Sequence, residues 1–153
     1  MYKKILAPLD TSELAECALS HVRAVASGCH VPEVILLSVI EPMPQINQLR
    51  AELGEDWVRD AIKRQRAFTE EYLNKKAAAL KKDGISVSIA VAEGIAADEI
   101  LEYSRKKNVD LIIMSSHGRS GVARWTLGSV ADRVVRHATV PVLTAAAPAC
   151  RIG

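Results

Sequence analysis

The chain has 153 residues, enough for one domain, and its 49% hydrophobic and 25% charged residues argue against intrinsic disorder. The formal net charge of +2 is too small to predict a polyanionic partner. Aromatic residues make up only 4% of the chain, so it lacks the stacking platforms of a single-strand nucleic-acid binder. We therefore expect an aliphatic core and no nucleic-acid partner.

The termini and the cysteines bear on the compartment. The apolar run at the N-terminus ends at Pro8 and Asp10, too early for a signal peptide, and no run has the length of a transmembrane helix. Cys17, Cys29 and Cys150 form no CxxC pair. We interpret all three as reduced thiols of a cytoplasmic protein with no membrane partner. The alternative is a redox sensor acting through Cys150 in the C-terminal tail.

The first elements alternate between strand and helix. A short apolar run predicts a strand over residues 4–9, and a turn follows at residues 10–12. An apolar stripe of helical spacing predicts a helix over 12–27, ended by Gly28. The nearly unbroken aliphatic run at 34–40 predicts a strand buried on both faces.

The rest of the chain continues this alternation. In chain order we predict an irregular loop at 41–54, a long charged helix at 55–82, a strand at 85–91, a helix at 96–107, a strand at 109–114, a loop at 115–128, a helix at 129–137 and a last strand at 140–144.

Five strands joined by helical crossovers predict an α/β fold, with a doubly wound five-stranded parallel sheet and helices on both faces. The chain is too short for a (β/α)8 barrel. Pro141 has no amide hydrogen, so the last strand is expected at an edge of the sheet. We predict a single domain over residues 1–145 and a loose C-terminal tail over 146–153.

Two strand ends are candidates for a binding site, because ligands of such sheets settle where the winding reverses. The first strand ends at Pro8-Leu9-Asp10, and the fourth leads into a loop that contains Gly118 and Gly121. Glycines allow close approach of the backbone to a ligand. Ser129 then opens a helix whose first amides have no partner inside the helix, which favours an anion. The pattern predicts a phosphate site.

These residues resemble a known family. The spacing Ser115-x2-Gly118-x9-Gly128-Ser129 is similar to the nucleotide motif Gly-x2-Gly-x9-Gly-(Ser or Thr) of universal stress proteins. Further segments of the chain resemble the family as well: residues 5–10, residues 36–39, Glu93-Gly94 and residues 137–143. The resemblance implies a Rossmann-like fold of the adenine nucleotide alpha-hydrolase-like kind, an adenine nucleotide as ligand, and a homodimer.

The resemblance also implies roles for individual residues. Asp10 would contact the ribose and Pro8 would line the pocket. Val39 would contact adenine through its backbone, with Met114 beside the ring. The residues implied around the phosphates are Ser115, His117, Gly118, Gly128, Ser129 and Val130. The ligand would be ATP or AMP, with Mg²⁺ as a companion of ATP and no metal held by the protein itself. Dimerisation is expected through the exposed last strand, from Val140 to Thr144.

Several residues admit a second interpretation. Asp10 and Glu13 also fit a capping box, and Ser129 with Asp132 is a similar capping pair. Ser115 replaces the first motif glycine, so it is strained if the position needs a positive φ and suitable if it needs only a small side chain.

Other side chains near the site are equally ambiguous. Arg119 and Arg124 either pair with phosphate or are solvated loop charges, and we include Arg119 among the candidate ligands. A catalytic role of His117 lacks a partner residue in the sequence. At helical spacing, Trp57, Phe68 and Tyr72 are interpreted as core or cover residues rather than a base-stacking surface.

The sequence contains neither a P-loop nor a GxGxxG after the first strand, and no clustered carboxylates for magnesium. We therefore expect a nucleotide-binding regulatory protein of the stress response rather than an enzyme. The alternatives are a nucleotide-independent dimeric interaction module of the same fold and, third, a slow ATPase.

Overall fold

A computed structural model describes residues 1–117 and 127–146 of the chain. The elements in chain order are β1 (Lys4–Pro8), α1 (Glu13–Glu16), α2 (Ala18–Gly28), β2 (Glu33–Ile40), α3 (Ile46–Leu53), α4 (Glu55–Lys82), β3 (Val87–Glu93), α5 (Ala96–Lys106), β4 (Leu111–Ser115), α6 (Ser129–His137) and β5 (Val142–Ala145).

The five strands form one parallel sheet in the order β3-β2-β1-β4-β5. Helices cover both faces, so the predicted doubly wound architecture is confirmed. β5 lies at an edge, as expected from Pro141. That residue comes just before the strand, and its carbonyl oxygen accepts a 3.0 Å hydrogen bond from the amide of Ile112.

Successive strand residues point to opposite faces and divide the core into two layers. Ile5 and Ala7 of β1 pack with α2 and α4 on one face, whereas Leu6 packs with α5 and α6 on the other. α4 contributes Leu73 and Leu80, both almost fully buried, to the first layer. Fully burying one such side chain stabilises the fold by roughly 1.5–3 kcal/mol before conformational entropy is counted.

Two helical predictions need correction. The helix predicted over 12–27 is interrupted at Cys17, whose amide bonds back to the carbonyl of Leu14 only three residues earlier, at 3.3 Å. The loop predicted over 41–54 contains α3, which begins after the two prolines and ends at Gly54, where φ is 91°. None of the residues of α3 is buried, although Ile46, Leu49 and Leu53 recur at helical spacing and the first two are partly covered.

The aromatic residues of α4 also depart from expectation. Tyr72 packs against the core. Phe68, however, is 64% exposed and Trp57 is 40% exposed, so the interpretation of all three as core or cover residues is wrong for Phe68 and only partly right for Trp57. Their helical spacing is real, but it follows a stripe that lies beside the buried face of α4, where Val58, Thr69 and Leu73 are found.

The cysteines are not all reduced. Cys29 is a free thiol, whereas Cys17 is disulfide-bonded, so the expectation of three reduced thiols is wrong at Cys17. Cys150 lies outside the described residues. None of the helices in residues 1–117 and 127–146 is long and apolar enough to cross a membrane.

Candidate functional site

The candidate site lies at the carboxyl ends of the strands, where the direction of winding reverses. β1 is the central strand, with β2 on one side and β4 on the other, so the chain leaves it toward opposite halves of the sheet. A cavity of about 400 Å³ opens at this place, within the range typical of small-molecule sites. The described residues that were predicted to bind the ligand all line it: Pro8, Asp10, Val39, Met114, Ser115, His117, Gly128, Ser129 and Val130.

Two of the predicted ligands, Gly118 and Arg119, lie outside the described residues, as does Arg124. The structure therefore brings together the predicted residues of β1, β2, β4 and α6 around one cavity. Their contact with a nucleotide stays a prediction.

The end of β4 carries an unusual histidine. The Nδ1 atom of His117 is 3.0 Å from the hydroxyl oxygen of Ser116. The Nε2 atom of the same ring is buried and has no hydrogen-bond partner. A buried polar atom without a partner costs roughly 1–3 kcal/mol, which makes such atoms rare. Because His117 lines the cavity, a small rotation of the ring would present this nitrogen to a polar ligand.

Ser115 answers the question that the motif left open. It is the last residue of β4, and the described non-glycine residues with positive φ are Thr11, His30 and Asn108, so Ser115 is not among them. The position therefore does not need a left-handed backbone, and serine is not strained there. The Ser115 hydroxyl also accepts a long, 3.4 Å hydrogen bond from the amide of His117.

Gly128 is required by close approach. Its amide donates a 2.7 Å hydrogen bond to the carbonyl oxygen of Ser116, and a Cβ atom at this position would lie 3.1 Å from that oxygen. Such a contact is tighter than nine in ten real Cβ contacts, so a side chain would push the turn after β4 away by a few tenths of an ångström. The glycine thus lets the start of α6 lie directly against the turn that carries His117.

The capping pair predicted at Ser129 is absent. Gly128 is the N-cap of α6, and within residues 1–117 and 127–146 no side-chain cap hydrogen bond is found at the start of this helix. Asp132 instead forms an ion pair with Arg136 at 2.9 Å. Amides at a helix start that lack side-chain partners attract anions, and those of α6 begin at residues that line the cavity.

The loop after β1 is organised by Asp10 and Ser12. Ser12 is the N-cap of α1, with its hydroxyl oxygen accepting from the amide of Ala15 at 3.2 Å. The predicted capping box of Asp10 and Glu13 is therefore wrong. The Asp10 Oδ1 atom accepts from both the amide and the hydroxyl of Ser12, at 3.0 and 2.5 Å. Thr11 lies at φ 67°, where a β-branched residue is strained, so the turn beside the cavity stores strain.

The backbone of Val39 faces the cavity. Leu9 donates to the carbonyl of Leu37 at 2.8 Å, and among the described residues the ladder between β1 and β2 ends there. Alternate residues of a strand direct their amide and carbonyl groups to alternate neighbours. The carbonyl of Ile40 accepts from Gly94 on the β3 side, so the polar groups of Val39 point to the side where β1 has ended.

One wall of the cavity was not predicted. Gln65 and Thr69 of α4 line it, together with Glu41, Ile100 and Ser116. Thr69 is a buried polar residue within the apolar face of α4, and its hydroxyl bonds to the carbonyl of Gln65 at 2.9 Å. A threonine in register with Leu73 and Ala77 was the available signal in the sequence. The direction in which α4 packs on the sheet could not be predicted from the sequence.

The side chain of Glu41 caps the start of α5. Its Oε1 atom accepts a 3.1 Å hydrogen bond from the amide of Ala96, the first residue of α5, which has no side-chain cap of its own.

No group of three or more His, Cys, Asp or Glu residues placed to hold a metal ion occurs in residues 1–117 and 127–146. Mg²⁺ therefore stays a prediction that concerns the nucleotide.

Comparison with known proteins identifies the family. A family model described as the universal stress protein family matches residues 1–145. The chain belongs to the universal stress protein family. This confirms the resemblance inferred from the motif that begins at Ser115.

Two curated relatives come from Methanocaldococcus jannaschii. Universal stress protein MJ0531 is 33% identical over 97% of this chain and 84% of its own length. Universal stress protein MJ0577 is 36% identical, and the match covers 94% of each protein.

Solved structures support the same fold. The structure of MJ0577 superposes with a TM-score of 0.82, covering 95% of this chain and 96% of that one at 33% identity. A universal stress protein solved in complex with cAMP superposes with a TM-score of 0.70, covering 95% of this chain and 98% of that one. At 18% identity, the second likeness shows the fold alone.

Proposed function

We propose that this protein binds an adenine nucleotide, ATP or AMP, and acts as a nucleotide-dependent regulatory protein of the stress response. The proposal includes a cytoplasmic location and a single domain over residues 1–145. The observation that carries it is the unpartnered Nε2 atom of His117 beside a cavity that also contains the uncapped start of α6. Together they suit the oxygen atoms of a phosphate group.

The phosphate end alone is too weak to hold a ligand. A charge at an exposed helix start gains about 0.3–1 kcal/mol, whereas micromolar binding requires roughly 8 kcal/mol. The remainder has to come from several amides and hydroxyls acting together and from burial of the base. Ile100 and Met114, both buried, offer apolar surface for that burial within the same cavity.

The base end favours adenine. The amide and carbonyl of Val39 point to the side left by β1, and in one orientation they match the N1 acceptor and the N6 donor of adenine. Guanine in the same orientation presents a donor and an acceptor in reversed order, so both hydrogen bonds would fail. The cAMP complex of a relative with this fold adds cAMP to the ligands worth testing.

Isothermal titration of nucleotide-free protein with ATP, AMP and cAMP tests the proposal, with GTP as the specificity control. We expect micromolar binding of at least one adenine nucleotide and weaker binding of GTP. Ser129→Tyr should abolish binding by placing bulk at the first turn of α6, whereas Ser27→Tyr, at an exposed position of α2, should not. If no adenine nucleotide binds, the proposal is refuted and a nucleotide-independent interaction module takes its place.

The same proposal includes a homodimer formed through the last strand. β5 is an edge strand whose pairing with β4 uses the carbonyls of Pro141 and Ala145. By alternation, Val142 and Thr144 direct their amides and carbonyls to the open edge. An edge of this kind is a template for a second strand. A nucleotide at the carboxyl ends of β1 and β4 would lie one strand away from that interface.

A further inference from the structure

Glu16, the last residue of α1, connects the loop after β1 to α4. Its Oε1 atom accepts a 3.0 Å hydrogen bond from the hydroxyl of Tyr72, and its Oε2 atom pairs with the ammonium of Lys76 at 2.7 Å. The same ammonium lies 5.5 Å from the centre of the Tyr72 ring. The side chains of Glu16 and Lys76 are each 29% exposed, so the pair is better shielded from water than the other ion pairs in the part of the chain that the structure describes.

The other end of α1 is tied to Asp10. Ser12 caps the helix through the amide of Ala15 and donates twice to the Asp10 carboxylate. A continuous chain of contacts therefore runs from Asp10 through Ser12 and α1 to Glu16. We call the contacts of Glu16 with Tyr72 and Lys76 the Glu16 clamp.

The clamp matters more to α1 than to α4. α4 is attached to the sheet by Leu73, Ala77 and Leu80, each at most 1% exposed. α1 has four residues, too few to be stable alone, and buries only Ala15. α1 is also followed by the buried, disulfide-bonded Cys17, so removing the clamp would loosen α1 rather than detach it, and would leave α4 in place.

We propose that Glu16 is a positioning residue that holds the Asp10 carboxylate at the ribose end of the cavity. This inference rests on the proposed nucleotide function. Glu16 does not line the cavity itself, so it acts on a ligand through its neighbours: through Ser12 on Asp10, and through Ala15, which lines the cavity.

A comparison of ATP with 2′,3′-dideoxy-ATP tests the inference, because only ATP offers ribose hydroxyls to Asp10. In isothermal titration we expect the unmodified protein to prefer ATP by about tenfold, the worth of one hydrogen bond to a charged group. Glu16→Ala should reduce this preference at least threefold by weakening ATP, with binding of the dideoxy ligand changed less than twofold. Glu16→Gln retains an acceptor for Tyr72 and should fall between the two.

Glu71→Ala is the matched control, because it removes a carboxylate paired with Lys75 at 3.0 Å on the exposed side of α4. It should leave both affinities unchanged. Amide hydrogen exchange of the ligand-free variants adds a second measurement. Exchange at Ala15 should accelerate in Glu16→Ala and Tyr72→Phe, while Leu73 stays protected.

The outcomes separate the two proposals. If Glu16→Ala binds both ligands with the original preference, or weakens both equally, the positioning role is overturned and the nucleotide function stands. Unchanged exchange at Ala15 overturns it as well. If the unmodified protein binds neither ligand and also fails to bind AMP and cAMP, the nucleotide function fails and the ribose role fails with it.

Discussion

The amide of Gly128 donates a 2.7 Å hydrogen bond to the carbonyl oxygen of Ser116, which ties the start of α6 to the turn after β4. A Cβ atom at Gly128 would lie 3.1 Å from that oxygen and 3.5 Å from the Cα atom of His117. The site therefore depends on two backbones that lie so close together that a residue with a side chain would push them apart by a few tenths of an ångström.

We expect Gly128→Ala to weaken ATP binding about tenfold, because the turn with His117 has to move away from the helix start. The unfolding free energy should fall by only about 1 kcal/mol, since a shift of a few tenths of an ångström relieves the contact. Gly28→Ala is the control: its added Cβ meets nothing within 4 Å, so it should stabilise α2 slightly and leave binding unchanged. Equal ATP affinity of both variants would contradict the prediction.

His117→Ala should separate stability from binding. The substitution removes a buried ring nitrogen without a partner, worth roughly 1–3 kcal/mol, but also the partner of the Ser116 hydroxyl, worth about 1 kcal/mol. We expect the melting temperature of the ligand-free protein to change little, because these effects oppose each other. The rise in melting temperature on adding saturating ATP should shrink markedly. An undiminished rise would show that Nε2 does not contact the ligand.

Base preference should not depend on the side chain of Val39. Because the recognising groups belong to the backbone, Val39→Ala should keep the ratio of ATP to GTP affinity within about twofold, even if both affinities fall through lost apolar contact. Competition binding against a fluorescent ATP analogue measures this ratio. A variant that gains GTP binding selectively would refute backbone recognition.

Thr144→Pro should convert the proposed dimer to a monomer without unfolding the sheet. The amide of Thr144 points to the open edge, so its loss costs no bond to β4. Leu143→Pro is the comparison, since the Leu143 amide points toward β4 and its loss should lower stability instead. Light scattering after gel filtration reports the mass. A Thr144→Pro protein that stays dimeric would place the interface elsewhere.

The stability of the protein should decline in alkaline solution through Tyr72. Burial raises the pKa of Tyr72 above its ordinary value of 10.0, and the hydrogen bond to Glu16 raises it further. The folded state thus keeps this proton at pH values where the unfolded chain loses it. This stabilisation is complete below pH 10 and diminishes as the pH rises further.

Urea denaturation at several pH values between 8 and 11 tests this dependence. The difference in unfolding free energy between the unmodified protein and Tyr72→Phe should decrease steadily above pH 10. Tyr103→Phe is a useful comparison, because burial also raises the pKa of Tyr103 but at the opposite end of the sheet, near Glu33 and Lys4. A difference that stays constant with pH would exclude a shifted Tyr72.

The sequence predicts elements best where burial is periodic. The long helix over 55–82 and the helix over 129–137 are confirmed to the residue, because each has a regular apolar stripe and a clear end. The loop prediction at α3 followed from Pro42 and Pro44 and overlooked the helical spacing of Ile46, Leu49 and Leu53. At the interruption, the amide of Cys17 bonds to the carbonyl three residues earlier instead of four. Nothing in the composition of the segment indicates this change.

The site residues also differ in how well the sequence predicts them. Asp10, Ser115 and Ser129 are adjacent to strand or helix ends, so the topology alone brings them to one edge of the sheet. Gln65 and Thr69 reach that edge from the middle of a helix, and only the packing angle of α4 decides that they do. The exposure of Phe68 depends on the same angle.

Because α4 carries both the cavity wall and part of the core, its internal length is under two constraints at once. Thr69 faces the cavity and Leu73 faces the sheet, one turn apart on the same side of the helix. An insertion of one residue between them would rotate one region by ~100° relative to the other. Insertions and deletions in homologous chains should therefore be tolerated between β2 and the first turns of α4. They should be absent between Thr69 and Leu73.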